Sequence, residues 1–296
     1  MTRDFLGYGG RPPDPQWPGG ARVAVCVVVN VEEGAELALS SGDDRNEKVY
    51  EISQEVVGVP DLCMETHFEY GTRAGYWRIM DLLDRLEVPA TLNACGRAIE
   101  RSPWLAADAV RRGHEICAHG YRWEGHAQMS EGEERVLIAR AVKAIAEAAG
   151  RPPVGWHTRS ACSPNTRRLL VEAGFLYDSD AYSDDLPFFV EVQGRRHLVV
   201  PYSFDTNDMH FHQEPQRFVT GDDFARYVTD AFDWLWREGE TAPKMMSVGL
   251  HLRMIGRPGR IGGLERVLQH MKGRGGVWFA RREQIARHWI ARFGSS

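Results

Sequence analysis

Residues 24–34 read AVCVVVNVEEG, an apolar run that stops at two adjacent glutamates and a glycine. A continuous run of this kind, covering residues 22–30, is typical of a parallel strand that is buried on both faces. Strand patterns alternate with helix patterns from there to the C-terminus. We therefore predict a single α/β domain with a parallel sheet.

Helix-start signals divide the rest of the chain. Ser130 with Glu133 and Thr220 with Asp223 predict capped helices that end at Gly150 and near residue 239. Residues 33–70 are polar and lack clear periodicity, so we expect a long functional loop there. Residues 1–21, rich in Pro and Gly, are predicted to form an extended arm, and residues 22–296 the domain itself. The later strands are predicted in the segments PATLNAC, HEICAHG, PPVGWHTR, FLYDSD, HLVVPYSFDTND, MMSVGLH and GVWFA.

Composition excludes several classes of protein. The chain has 296 residues, is 43% hydrophobic and carries a formal net charge of -5, so it can bury a large core but has no basic footprint for nucleic acid. It contains no apolar run near the roughly 20 residues that span a bilayer and no signal peptide at its start, so we expect a cytoplasmic protein without a membrane partner. The five cysteines form no CxxC pair, and buried thiols explain them best.

Polar residues follow several of the predicted strands, at the end of each strand. In a (β/α) barrel those ends meet at one face, where the loops build the active site, whereas in an open sheet they spread along an edge. This clustering favours the barrel. The residues are Glu32 and Glu33, His119, His157 and Arg159, the segment from Asp205 to Asp208, and His251.

The two glutamates at the end of the first strand cannot both face the pocket if the backbone stays extended, because adjacent side chains point to opposite sides. Gly34 could loosen that constraint by letting the chain turn. A carboxylate at the pocket could act as a general base toward water or as an oxygen ligand for a metal. The alternative is a polar strand end in water.

Two histidines also end predicted strands. His119 and His251 could each bind a metal or a substrate oxygen, or be structural. An imidazole opposite a carboxylate forms the acid and base pair that hydrolysis of an amide-like bond requires. A second metal ligand four residues after His119 is absent, because position 123 is tryptophan, and His126 is expected to face solvent. Arg159 and Asn207 could hold carbonyl oxygens, and Trp123 and Trp156 could flank a flat molecule or simply pack.

Ordered motifs from residue 22 to the C-terminus resemble the polysaccharide deacetylase (NodB-homology) superfamily. They are NVEEG, HEICAHGYRW, VGWHTRSACSPNTRRLL, YDSDAYSDDLPFF, PYSFDTNDMHF and SVGLHLRMIGRPGR. The likeness is to the branch with metal-independent allantoinase, cyclic imide hydrolases and peptidoglycan deacetylase-like proteins. It implies a deformed (β/α) barrel and hydrolysis of carbon–nitrogen bonds other than peptide bonds.

The resemblance also implies roles for residues. The acidic base and the acidic metal ligand fall on Glu32 and Glu33, with their order open, and the late acid histidine falls on His251. The two histidine ligands of the second motif fall on His119 and Trp123. Zinc usually keeps three protein ligands, so Glu33 and His119 alone predict weak or absent metal unless His126 or His157 joins them. No cofactor is therefore expected.

The predicted reaction is ring-opening of a small cyclic amide, ureide or imide. A glutamate would assist water, Arg159 and His119 would polarise the carbonyl group, and His251 would protonate the leaving nitrogen. The residues expected to line the substrate site are Trp123, Trp156, His157, Asp205, Asn207 and Asp208. The alternatives are N-deacetylation of an amino sugar or peptidoglycan fragment, and an inactive barrel that binds a ligand. The resemblance also predicts a homo-oligomer, a tetramer.

Overall fold

A curled, mainly parallel sheet forms the centre of the computed structural model, which describes residues 3–49, 51–52, 54–213 and 217–294. The strands lie in the order β6-β7-β5-β4-β3-β2-β1-β8, and β9 pairs with β1. An isolated bridge between Asn207 and Gly249 brings the chain after β7 beside β8. The described strands are β1 (Val23–Val31), β2 (Ala90–Ala94), β3 (Glu115–Ala118), β4 (Gly155–Trp156), β5 (Tyr177–Asp178), β6 (Phe188–Val192), β7 (Arg195–Val199), β8 (Lys244–His251) and β9 (Val277–Phe279).

Helices pack outside the sheet. The two predicted capping boxes are confirmed at Ser130 and Thr220, each of which accepts a hydrogen bond from the third residue of its helix. A π-helical turn, Gly71–Gly75, joins the first two helices. The described helices are α1 (Leu62–Tyr70), α2 (Tyr76–Arg85), α3 (Gly96–Arg101), α4 (Pro103–Arg111), α5 (Glu131–Ala149), α6 (Thr166–Glu172), α7 (Gly221–Glu238), α8 (Pro258–Arg274) and α9 (Arg282–Phe293).

Strand β1 fixes the position of the functional residues. Every residue of β1 is buried, as expected for a strand covered on both faces. Asn30 pairs in register with Asn93 of β2 and with His251 of β8. The carboxyl ends of these three parallel strands therefore lie side by side, which confirms the predicted deformed (β/α) barrel.

The structure corrects three predicted segments. The long polar loop contains helix α1, whose N-cap Asp61 accepts a hydrogen bond from the Met64 backbone N–H. Helix α3 was not predicted, because it has only six residues and no side-chain cap. The β6–β7 hairpin was also missed. Gln193 and Gly194 both have positive φ, 49° and 73°, which suits the two-residue turns that join antiparallel strands.

The N-terminal arm is anchored by one aromatic residue. Trp17 is 2% exposed, and its indole N–H donates a hydrogen bond of 2.8 Å to the Lys244 carbonyl oxygen. Its ring also packs against those of Trp278 and Trp289. Burial of so large an aromatic surface holds this end of the arm on the barrel. Among the helices that the structure describes, none is long and apolar enough to cross a membrane.

Candidate active site

A small pocket of about 100 Å³ opens at the carboxyl ends of the strands. Residues from β1, β8 and the segments after β3, β4 and β7 line it, so side chains that are far apart in sequence meet there. The lining residues are Asn30, Glu32, Glu51, His119, Trp123, His157, Arg159, Ser160, Tyr202, Phe204, Asn207, Met209, His251, Arg253 and Met254.

Glu32 is the central carboxylate of the pocket. Its Oε2 accepts a 2.7 Å hydrogen bond from Arg253 Nη1, and its Oε1 lies 3.5 Å from His251 Nε2 and 3.7 Å from His119 Nε2. Burial alone would raise the pKa of Glu32, but the charges of His251 and Arg253 outweigh it and hold that pKa well below its usual value. Glu32 is therefore ionised at neutral pH.

Glu33 points away from the pocket, as strand alternation requires of one of the two neighbours. Its Oε2 accepts a 3.0 Å hydrogen bond from the Glu32 backbone N–H, and its carboxylate packs against Gly71, where a Cβ atom would collide with it. Burial and the neighbouring charge of Glu32 raise the pKa of Glu33 to about 7, against the pull of Arg253. The geometry thus gives the pocket position to Glu32.

Asp208 holds His251 in place from behind. Its Oδ1 lies 2.6 Å from His251 Nδ1, and its Oδ2 accepts hydrogen bonds from the backbone N–H groups of His251 and Ile255. Burial opposes a charge on His251, but Glu32 and Asp208 outweigh it and raise the pKa of His251 to about 10. The imidazole is therefore protonated at neutral pH and directs Nε2–H toward Glu32.

His119 is oriented by a backbone carbonyl group. Its Nδ1 lies 2.6 Å from the His157 carbonyl oxygen, which can only accept, so Nδ1 carries the proton. Its Nε2 faces the pocket, 3.7 Å from Glu32 Oε1. The His157 ring stacks on that of His119 at 5.2 Å, and its Nδ1 lies 3.2 Å from Asp180. Burial lowers the pKa of His157 to about 4, so that ring is neutral.

Arg159 and Trp123 form one wall of the pocket mouth. The guanidinium carbon of Arg159 lies 3.4 Å from the centroid of the Trp123 ring. Arg159 Nη1 also donates to the Trp123 carbonyl oxygen at 2.7 Å and to Glu47 at 3.3 Å. These contacts fix the guanidinium at the rim, and the Trp123 ring occupies the place predicted for a flat wall.

Three sequence predictions need correction. Trp156 does not flank the pocket: it is 0% exposed, and its indole N–H donates to Thr158 within the core. Asp205 lines a separate surface pocket and accepts a hydrogen bond from the Tyr227 hydroxyl. His126 does not face solvent, because it is fully buried with Nδ1 at 2.9 Å from Glu134. Of the predicted substrate residues, Trp123, His157 and Asn207 line the pocket, and Asp208 lies behind His251.

Arg253, Glu51 and Tyr202 are among the pocket residues that the sequence did not predict. Arg253 binds both Glu32 and Glu51, whose Oε1 accepts from Arg253 Nε at 2.8 Å. Arg253 lies in the turn that follows β8, where the period of two of an extended strand no longer applies, so the strand pattern could not have found it. Glu51 lies in the polar loop, and Tyr202 directly follows a proline after β7. Neither of these two carries a sequence signal of its own.

The residues present do not fit the zinc site that the resemblance suggested. Within the described ranges, no three His, Cys, Asp or Glu side chains are arranged to hold a metal ion. Trp123 stands at the second histidine position, Glu33 faces Gly71, and the guanidinium of Arg253 already neutralises Glu32. A histidine with one carboxylate is too small a ligand set for a catalytic zinc.

Comparison with known proteins places the chain in a family. A polysaccharide deacetylase family profile matches residues 59–177. A Schizosaccharomyces pombe protein, provisionally named a polysaccharide deacetylase, is 38% identical over 98% of each chain. The crystal structure of a probable polysaccharide deacetylase from Pseudomonas aeruginosa PAO1 is 47% identical, with a TM-score of 0.94 and 99% of each chain covered. The crystal structure of Puue allantoinase is 46% identical, with a TM-score of 0.94, and the match covers 99% of this chain and 98% of the allantoinase chain. The chain therefore belongs to the polysaccharide deacetylase family of the NodB-homology superfamily.

Proposed function

We propose that this protein opens the ring of a small cyclic amide, ureide or imide by hydrolysis. Its family makes it a hydrolase of carbon–nitrogen bonds, and the ring substrate is the part that we propose. The observation that carries the proposal is the contact of 3.5 Å between Glu32 Oε1 and His251 Nε2 inside a small pocket. The ionised carboxylate and the protonated imidazole are the states that a base and an acid must have before reaction.

The proposed reaction uses these two groups in sequence. Glu32 takes a proton from a water molecule whose oxygen attacks the ring carbonyl carbon. His251 gives its Nε2 proton to the ring nitrogen as the carbon–nitrogen bond breaks, which leaves a carboxylic acid and a free N–H group. The proton on Glu32 then returns to His251 across the short gap between them, which restores both groups. Asp208 holds the imidazole in the required orientation throughout. No metal takes part in this scheme.

The size and lining of the pocket support a small ring rather than a polymer. About 100 Å³ is room for a compact molecule, and the walls include the flat rings of Trp123 and Phe204. Arg159 at the rim offers a fixed cation for a carbonyl or carboxylate oxygen. The 46% identity to the Puue allantoinase over nearly the whole chain supports a ureide in particular.

A substrate panel tests the proposal. Purified protein is incubated with allantoin, hydantoin, succinimide and chitooligosaccharides, and the carboxylate or acetate released is measured by NMR. We expect ring opening of at least one cyclic compound, and a rate reduced roughly 10²–10⁴-fold in Glu32→Gln. Release of acetate from chitooligosaccharides without ring opening would make the protein an N-deacetylase instead. No turnover of any compound would favour the inactive barrel that binds a ligand.

A further inference from the structure

We propose that the Tyr202 hydroxyl is a further catalytic residue, which donates a hydrogen bond to the oxygen of the attacked carbonyl group. This inference rests on the proposed function, because it concerns the same pocket and the same reaction. Tyr202 lines the pocket and follows β7. Its role depends on where the proton of its hydroxyl group can point.

Two asparagines donate to the Tyr202 oxygen. Asn207 Nδ2 lies 2.9 Å and Asn30 Nδ2 lies 3.3 Å from Tyr202 Oη. Hydrogen bonds to backbone groups fix the orientation of both side-chain amides. Asn207 Oδ1 accepts from the Met209 N–H at 2.9 Å, and Asn30 Nδ2 also donates to the Leu250 carbonyl oxygen at 3.0 Å. Each amide therefore presents N–H, not oxygen, to the phenol.

A phenol oxygen that accepts two hydrogen bonds has one polar function left, the donation of its own proton. Among the residues that the structure describes, none accepts that proton within hydrogen-bond distance. Tyr202 is 4% exposed and lines both this pocket and the neighbouring pocket that contains Asp205. Asn30 and Asn207, which contact its oxygen, line the active-site pocket and not the other one, so the O–H group is available to a molecule bound in the active-site pocket. A buried donor without a partner costs free energy, which a ligand oxygen would recover.

Gly249 leaves the space that this arrangement of Tyr202 and Asn207 needs. A Cβ atom at Gly249 would overlap both the Tyr202 hydroxyl and the Asn207 amide, so only glycine permits their contact beside β8. Below the ring, the Arg282 guanidinium carbon lies 4.8 Å from the Tyr202 ring centroid. Arg282 is 0% exposed, and its three guanidinium nitrogens have no hydrogen-bond partner among the described residues. A cation beneath the ring strengthens the hydroxyl group as a donor.

The other pocket groups are less suited to this task. His119 directs Nδ1 at the His157 carbonyl oxygen, and its Nε2 lies 3.7 Å from Glu32 Oε1, so both ring nitrogens face other groups. His251 must give its proton to the leaving nitrogen, and Arg159, whose Nη1 binds the Trp123 carbonyl oxygen at the rim, is left to hold another oxygen of the ring substrate. Burial raises the pKa of Tyr202 to about 12, so the hydroxyl stays protonated over the working range of pH. A preorganised neutral donor of this kind stabilises the developing oxyanion without a net charge.

Tyr202→Phe tests the inference, with Tyr177→Phe as the matched control. The change removes the hydroxyl but keeps the ring over Arg282. Tyr177 is equally buried, and its hydroxyl donates to Glu115 at 2.7 Å, outside the pocket. With the ring substrate identified by the panel, we expect kcat of Tyr202→Phe to fall about 100-fold, as for other oxyanion donors, and KM to rise by no more than about fivefold. Tyr177→Phe should keep its kcat.

A binding measurement separates this inference from the proposed function. Calorimetric titration with hydantoin should give a Kd that is weaker in Tyr202→Phe than in both the wild type and Tyr177→Phe, by about fivefold for one hydrogen bond. If the wild type binds hydantoin but hydrolyses no ring compound, the proposed reaction is wrong and the Kd ratio still decides the donor role. If Tyr202→Phe kept the wild-type kcat and Kd, the inference about Tyr202 would be wrong and the proposed function would be unaffected. Absence of both binding and turnover in the wild type would overturn both.

Discussion

Replacing Glu32 by glutamine is the most informative perturbation of the site. The change keeps the shape of the side chain but removes the charge that contacts Arg253, His251 and His119. It eliminates the proposed base, and loss of a general base costs typically 10²–10⁴-fold in rate. It also removes the largest of the charge interactions that raise the pKa of His251. Two independent effects therefore follow from one substitution.

The second effect predicts the direction in which the pH dependence of kcat should change. The pKa of His251 is raised to about 10, so the acid form persists through neutral pH and is lost as the pH rises through that value. Without Glu32 the pKa falls toward the ordinary histidine value of 6.5, because only Asp208 still favours the charged ring. The alkaline limb of the kcat profile should move to lower pH by the same amount.

The assay is the pH dependence of kcat with the ring substrate, combined with NMR titration of the histidines in ¹⁵N-labelled protein. Glu33→Gln is the matched control, because it makes the same chemical change one residue away. Glu33 faces Gly71 and not the pocket, so turnover should stay near the wild-type value. Equal loss of activity in both variants, or an unchanged His251 titration in Glu32→Gln, would refute the reasoning.

Three further predictions concern the surroundings of this pair. Glu33→Gln should raise the free energy of unfolding at pH 8 by at most about 3 kcal/mol and leave it unchanged near pH 4. The pKa of Glu33 is about 7 in the folded protein against an ordinary 4.5, so the wild type loses stability as the pH rises from 4.5 to 7, and glutamine does not. Urea unfolding at both pH values checks this. Asp208→Asn should lower kcat roughly 100-fold and move the His251 titration to lower pH by NMR, and wild-type values would show that Asp208 does not act through the imidazole. Dialysis against EDTA should leave both turnover and the melting temperature unchanged, whereas a loss that added zinc reverses would show a metal site.

Gly71 illustrates how far local pattern can predict a site. A glycine in a helical segment carries no sign of its partner, yet a side chain there would collide with the Glu33 carboxylate. The alternation of strand side chains showed that only one glutamate could face the pocket, but it could not say which. The answer depends on which side of β1 the helix junction covers, and that is a tertiary contact.

His119 and Trp156 also separate what the sequence pattern could predict from what only packing decides. Both were assigned to the pocket, His119 because it lies at the end of a predicted strand and Trp156 because its flat ring could flank a small molecule. His119 faces the pocket with its ring held by the His157 carbonyl oxygen, whereas the larger indole of Trp156 is buried in the core against Phe175. Two neighbouring strands thus give opposite outcomes, because the side of the sheet that each side chain takes is set by packing.

The sequence by itself determined the alternating α/β architecture, the capped helices and the set of acidic and imidazole groups at strand ends, because these depend on periodicity and on residues close in the chain. The tertiary structure alone decided that Glu32 rather than Glu33 meets His251, that Arg253 neutralises it, and that two asparagines leave the Tyr202 proton free. Most of those contacts join positions more than 170 residues apart, and the Asn207–Tyr202 contact, five positions apart, depends on how the chain after β7 meets β8. Only the register of β1 against β8 and the packing of the helices fix them.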